Sequence, residues 1–290
     1  RAGEDARPAM RGARTENICA VNDPVVGFHV DGVPRNRFAQ AMHPFVDLER
    51  VEVQRGPQGT LVGRNTFGGN INLVSRAPEQ AVDFDLAGTF GAYARQRLDG
   101  FVNLPLGDRA ELRIAGLVDR RDGFIENTGS GPDIWDERLG YLRASVRVRP
   151  ADNVEILGRV SRWSQGGIGQ GDFGLQVLGT LRDPDTGRIS LTGVLDPASS
   201  RRGSQGAPAD SPYRLGRDAA LTRDNLENAG SIEATWRVSD LRVRSTTAMS
   251  AFGSLRQNDG DFSANVHALE HLDEEADSFT QEVQVASSDP

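Results

Sequence analysis

Residues 51–78 read VEVQRGPQGTLVGRNTFGGNINLVSRAP. Val51 and Val53 alternate with Glu52 and Gln54, and Ile71 and Leu73 flank Asn72, so each end of the stretch carries the period of two that marks a strand. Between them Gly56-Pro57, Gly59, Gly63 and Gly68-Gly69 mark places where the backbone bends or comes close to other groups, with Arg55 and Arg64 beside them. The spacing predicts two strands bracketing a loop rich in glycine and arginine. A phosphate cradle is excluded, because the loop lacks a Gly-Lys-Ser/Thr ending and no helical pattern follows it.

Upstream, VVGFHVDGV over 25–33 reads as a strand running into a turn at Asp31-Gly32, and Met10-Arg11-Gly12 is a second short element. Downstream of Ala81 the glycine-rich character gives way to repeated alternation. Eight candidate strands lie near Val82–Phe90, Gln96–Leu104, Ala110–Arg120, Arg138–Arg149, Asn153–Trp163, Ala229–Arg237, Leu241–Phe252 and Ser278–Ala286. In the third, Leu112, Ile114, Gly116 and Val118 share one face, with Glu111, Arg113 and Asp119 on the other. In the fourth, Leu142, Ala144, Val146 and Val148 oppose Tyr141, Arg143, Ser145 and Arg147. Alternation alone fits a soluble sandwich as well as a membrane barrel.

The connections discriminate. Pro105–Arg109, Pro150–Asp152 and Val238–Asp240 are hairpin turns, whereas Arg121–Glu137, Ser164–Asn228 and Gly253–Asp277 are long. Short and long links therefore fall on opposite ends of one sheet, as in outer-membrane barrels with short periplasmic turns and long external loops. Gly91–Arg95 is the one short link on the long-loop end. The chain's 290 residues, 37% of them hydrophobic, have a mean hydropathy of -0.46, and no apolar run reaches the ~18 residues of a spanning helix. That excludes a helical membrane protein but not a barrel, whose strands need only about 9–11 residues with alternate positions apolar. The net charge of -8 argues against a nucleic-acid partner.

The glycine-rich stretch closely resembles the plug-to-barrel transition of TonB-dependent outer-membrane receptors. The matches are Arg55-Gly56-Pro57-Gln58-Gly59, Gly63-Arg64-Asn65, Gly68-Gly69, Ile71-Asn72 and Ala77-Pro78, with Val62 where that family often has an aromatic. Val25–Val33 is similar to the family's strand and Asp-Gly turn (Asp31, Gly32), and Arg11-Gly12 to its earlier Arg-Gly element. The resemblance implies a mostly β chain: the C-terminal part of a plug domain over 1–80, then over 81–290 an incomplete antiparallel transmembrane β-barrel of eight strands out of some 22. No signal peptide stands at Arg1, so the plug's first part and the box that contacts TonB are expected before residue 1. The end at Ser287-Ser288-Asp289-Pro290 reads as a turn.

What the resemblance implies about function is active uptake of a scarce ligand, most often a ferric siderophore, across the Gram-negative outer membrane, driven by a TonB–ExbB–ExbD complex and involving no enzyme chemistry and no cofactor. A passive porin-like channel is the main alternative and a soluble β-rich binding protein the remoter one. In the family, plug arginines pair with barrel-wall glutamates. Arg11 and Arg55 are the corresponding arginines, and Glu282, in FTQEVQV with Thr280 and Gln284 on its face and Val283 and Val285 on the other, is the expected partner.

Other features carry less. His267-Ala268-Leu269-Glu270-His271 spells H-x-x-E-H, but it lies in a predicted external loop with too few residues after it for a third ligand and a closed pocket, so no metal site is expected. His29 and His43 read as ordinary hydrogen-bonding residues, and the single Cys19 excludes an internal disulfide. Aromatics such as Phe90, Trp163, Trp236 and Phe252 fall near predicted strand ends, where a barrel places its interfacial girdle.

Overall fold

The computed structural model describes residues 8–15, 23–127, 132–167, 181–182, 189–190, 214–215, 222–259 and 269–287. Two large sheets organise most of them, beside two short two-stranded ladders. The first contains β1 (Val26–Val30), β2 (Val33–Arg35), β3 (Leu48–Arg55) and β4 (Gly69–Ser75) in the order β2-β1-β4-β3. β1 and β2 form a hairpin whose two-residue turn, Asp31-Gly32, has φ of 53° and 78°. Positive φ at both central positions is what a tight hairpin turn matched to strand twist requires, and Asp-Gly supplies it at little strain. β4 then enters parallel to β1 and antiparallel to β3. The loop between β3 and β4 contains a single helical turn, Gly59–Val62, that the sequence pattern did not indicate. It closes at Gly69, where φ is 145° and a Cβ would overlap Met10 Sδ and the Gln54 carbonyl.

The second sheet is an antiparallel meander of eight strands: β5 (Asp83–Gly91), β6 (Arg95–Pro105), β7 (Ala110–Arg121), β8 (Glu137–Ala151), β9 (Val154–Gly167), β10 (Thr222–Val238), β11 (Leu241–Asp259) and β12 (Leu269–Ser287). Every strand pairs with its neighbour in sequence, and β5 and β12 are the two open edges. All eight expected strands are present. Three extend furthest beyond their expected ends: β10 begins at Thr222 rather than Ala229, β11 continues to Asp259, and β12 begins at Leu269 rather than Ser278. These extensions, TRDNLEN, GSLRQND and LEHLDEEAD, are polar on both faces, so the apolar alternation that signals a half-buried strand is missing although the ladder continues. Leu269–His271 of the H-x-x-E-H motif accordingly lies in a strand rather than a loop, while His267 and Cys19 lie outside the described residues.

Burial is inverted relative to a water-soluble sheet. On one face Asn103, Glu111, Arg113, Asp119, Arg143, Ser145, Gln165 and Glu227 are buried. On the other, Leu98, Val118, Leu142, Val160, Ile232, Met249, Phe279 and Val283 are all at least half exposed. Apolar side chains arrayed over seven adjacent strands and left open to the surroundings form a belt suited to hydrocarbon, with the polar face turned to the concave side. The first sheet sits against that polar face. Ala39, in a 3-10 turn over Ala39–Met42, and Val46 pack into one buried cluster with Ala115, Leu117, Tyr141, Trp163 and Phe252 of the wall. The link from β4 to β5 is clasped by fully buried Asn103, whose amide donates to the Glu79 carbonyl at 2.8 Å and to that of Ala81 at 2.5 Å while its oxygen accepts from the Glu79 N–H at 3.0 Å.

Candidate functional site: the small sheet against the polar wall

The interface between the small sheet and the wall is held by charges from two short segments. Asp47 stands just before β3 with φ 49° and is buried. Arg113 of β7 grips its carboxylate in a two-pronged pair, Nη2 to Oδ1 at 2.6 Å and Nε to Oδ2 at 2.8 Å. Arg143 of β8 donates from Nη2 to Oδ2 at 2.6 Å and to the Asp47 carbonyl at 3.1 Å. The other Nη of Arg143 donates to Ser75 Oγ at 2.8 Å, to Tyr141 Oη at 3.3 Å and to the Val46 carbonyl at 3.4 Å. Arg113 also lies over the Phe101 ring, 3.8 Å from its centroid. One carboxylate thus compensates two guanidinium groups that would otherwise be buried without a counter-charge, and the planar forks fix its orientation.

The Asp31–Arg37 segment continues the pattern along the wall. Asp31 lies 3.5 Å from Arg159 Nε of β9, and its Oδ1 accepts the Ser75 N–H at 2.8 Å. Arg35 Nε lies 2.7 Å from Glu227 Oε1 of β10, both side chains being buried. Glu227 also accepts from Trp163 Nε1 at 2.5 Å and from Gln40 at 3.4 Å. Arg37 reaches Glu274 of β12 at 3.2 Å. Charges from two segments beside the small sheet therefore engage β7, β8, β9, β10 and β12 in turn.

Two histidines lie in the small sheet and its 3-10 turn. His43 is buried edge-on to the rings of Tyr141 at 5.2 Å and Trp163 at 6.5 Å, and donates from Nδ1 to the Pro44 carbonyl at 3.0 Å. Burial, with the nearby Arg35 charge adding to it, pushes its pKa down to about 3, so the ring is neutral at physiological pH. His29 pairs through Nδ1 with Asn70 Oδ1 at 2.5 Å, and its pKa is lowered chiefly by burial, the Asn70 hydrogen bond opposing that shift. Among the described residues no group of three or more His, Cys, Asp or Glu is placed to hold a metal ion.

The expected arginine–glutamate pair is not formed in this structure. Arg55 ends β3, the outer strand of the small sheet, and is exposed; Arg11, also exposed, lies alongside Gly56. Glu282 is on the concave side of β12 as alternation predicted, but its Oε1 accepts from Gln284 at 2.7 Å and its field acts on His29. Among the described residues neither arginine is ion-paired to it, because β3 is the strand of the small sheet farthest from β2, whose Arg35 reaches the wall. The glycines of the signature, Gly12, Gly32, Gly56, Gly59, Gly63, Gly68 and Gly69, with Pro57 and Asn65, lie in the loops and turns of the small sheet, whereas Arg64 lines a cavity together with Ser250 and Ser278 of the wall. Asp47 was missed by sequence reasoning. Its signal was indirect: Arg113 and Arg143 occupy polar-face positions on adjacent strands, and such arginines demand an anion.

Residues 1–70 match the TonB-dependent Receptor Plug Domain family. The pesticin receptor of Yersinia pestis is 33% identical over 146 residues, which cover 47% of this chain and 20% of that protein. Residues 1–70 thus carry the plug signature of the TonB-dependent receptors. Another relative, the catecholate siderophore receptor Fiu of Escherichia coli K12, is 31% identical over 107 residues, covering 36% of this chain and 12% of its own length. Among solved structures, the ferric yersiniabactin uptake receptor FyuA from Yersinia pestis superposes with a TM-score of 0.70 over 91% of this chain and 37% of that one, at 19% identity. The matched stretches thus cover only 20% and 12% of the length of these two relatives. By these similarities the small sheet corresponds to a plug and the eight-stranded sheet to part of a barrel wall, and the location is the Gram-negative outer membrane.

Proposed function

We propose that this chain supplies the plug and the first wall strands of a receptor that imports a ferric siderophore across the outer membrane, with energy delivered by a TonB–ExbB–ExbD complex and no covalent chemistry. The observation that carries this reading is the plug seated by buried ion pairs on the polar face of a wall whose other face is apolar. A passive pore would leave that polar face to water, whereas here it is covered. The names of the relatives, which include a catecholate siderophore receptor and a ferric yersiniabactin uptake receptor, support the ligand class.

In this reading residues 1–80 act as plug and 81–290 as wall, with Asn103 clasping the junction. Arg11, Arg55 and the signature glycines shape the plug's loops, Arg64 faces the wall across a cavity, and Glu282 is a lumen charge acting on His29. Asp47 is the principal anchor. Displacing the plug then requires an outside energy source, since several buried pairs must break together. The test is uptake of iron-55-labelled siderophores, one catecholate and one of the yersiniabactin type, by iron-starved cells expressing the complete receptor. Accumulation of one ligand that stops on addition of an uncoupler is expected. Uptake of neither above the receptor-deleted strain, or uptake unaffected by the uncoupler, would overturn the proposal.

A further inference from the structure

The apolar belt ends, toward the long connections, in a cluster of arginines on its outer face. Arg120 of β7 and Arg138 of β8 are directly opposed across the ladder, and both are exposed on the same face as Val118 and Leu142. Arg162 of β9, also exposed and outward-facing, pairs in register with Leu142, four residues and roughly 13 Å along the strand from Arg138. Like charges directly opposed in a ladder repel and are destabilising unless an anion lies between them. Local compensation is uneven. Arg120 makes no ion pair among the described residues, and Arg162 donates to the neutral Asn228 at 3.1 Å, whereas Arg138 has Asp136 at 3.6 Å and shares the space over Gly166 with the Asp224 carboxylate. Asp224 follows on β10, beyond Gly166, and Asp273 lies farther along that row on β12, which confines the cationic patch to three strands.

The surface beside the patch is shaped for a chain. Gly100 and Gly116 are paired across β6 and β7 on the outer face, leaving backbone bare of side chains between Leu86 and Leu142 in the same row and Leu98 and Val118 in the row nearer Arg120. All four of those side chains are at least half exposed. A hydrocarbon chain laid over that strip brings an attached anionic headgroup to the arginines.

We infer that Arg120, Arg138 and Arg162 form a site for a glycolipid of the outer leaflet carrying more than one phosphate, one phosphate between Arg120 and Arg138 and another at Arg162, with an acyl chain over Gly100 and Gly116. The inference rests on the outer-membrane reading, which sets the patch at headgroup level on the external side. Guanidinium forks suit phosphate in geometry and charge, and a basic residue near an anionic lipid surface strengthens binding by about fivefold.

The test uses the complete receptor in lipid nanodiscs containing bis-phosphorylated lipid A or its dephosphorylated form, with bound glycolipid counted by native mass spectrometry. The wild type is expected to retain the bis-phosphorylated lipid. The triple substitution Arg120→Gln, Arg138→Gln, Arg162→Gln is expected to weaken retention by on the order of a hundredfold, and the corresponding triple Arg→Lys variant to keep most of it. Dephosphorylated lipid should bind wild type and Gln variant alike. Equal retention by wild type and the Gln variant, or no preference for the phosphorylated lipid, would overturn the site. Displacement by micromolar inorganic phosphate would also overturn it, by showing a site for the free anion. Flotation with liposomes is scored separately: a wild type that fails to float would sink the membrane reading itself, whereas one that floats but ignores the phosphates sinks only this site.

Discussion

Asp47 gathers two of the interface's buried ion pairs on one carboxylate. Removing it leaves Arg113 and Arg143 buried without a counter-ion, and breaking a buried pair in that way costs on the order of 3–5 kcal/mol. In the complete receptor, Asp47→Ala should therefore lower the opening free energy of residues 31–47 by that amount, read by hydrogen exchange. Adding Arg113→Leu and Arg143→Leu to it should recover part of the loss, because the uncompensated charges go with the arginines. An opening energy within about 1 kcal/mol of wild type would relieve Asp47 of its role. His43 makes the same interface sensitive to acid. Its pKa falls from 6.5 in the unfolded chain to about 3 when docked, so between those values the docked state binds fewer protons. The stabilisation is complete above pH 6.5 and is lost as pH falls toward 3, with a slope approaching about 1.4 kcal/mol per pH unit. His43→Gln should flatten that part of the pH profile; an unchanged slope would show that the ring does not titrate against docking.

At the level of elements, the number of strands, their order and their two faces were legible in the sequence because alternation records a contrast between environments. Leu112, Ile114 and Val118 against Glu111, Arg113 and Asp119 is that contrast on β7, and the structure keeps it residue for residue. Where both faces are polar the contrast vanishes, and so the outer ends of β10, β11 and β12 were read as loop. The glycine signature was legible for a different reason: Asp31-Gly32 and Gly69 adopt backbone angles that few other residues tolerate. The attachment of plug to wall was not legible, since Asp47 meets partners 66 and 96 residues away and nothing local marks it. The two faces also set how substitutions behave. Val160→Arg, at an exposed apolar position mid-strand on β9, should cost about 2–4 kcal/mol of barrel stability. Arg244→Gln, at a more exposed position on the concave face of β11, should change it by less than about 1 kcal/mol. Equal costs in denaturant titrations of the receptor in bilayers would argue that both faces meet the same solvent.

For the molecule as a whole, plug and wall are complementary in chemistry. The wall's concave face is too polar to exclude water by itself, and the plug covers it with buried ion pairs and an apolar cluster centred on Trp163. The wall's outer face is too apolar for water and has the arginine rim of the belt at one end. The long, unpaired edges of β5 and β12 make the 290-residue chain produced by itself prone to edge-to-edge association. Adjacent residues on β8 report on both solvents at once: Ser145 is wholly buried under the plug and Val146 faces outward. The most direct measurement is therefore spin-label accessibility at Ser145→Cys and Val146→Cys in the complete receptor in bilayers, with and without residues 8–80. A label at 146 should meet oxygen dissolved in the lipid in both forms, while one at 145 should meet a water-soluble relaxation agent only when the plug is removed. Equal accessibility at the two positions, or a label at 145 indifferent to the plug, would contradict the account.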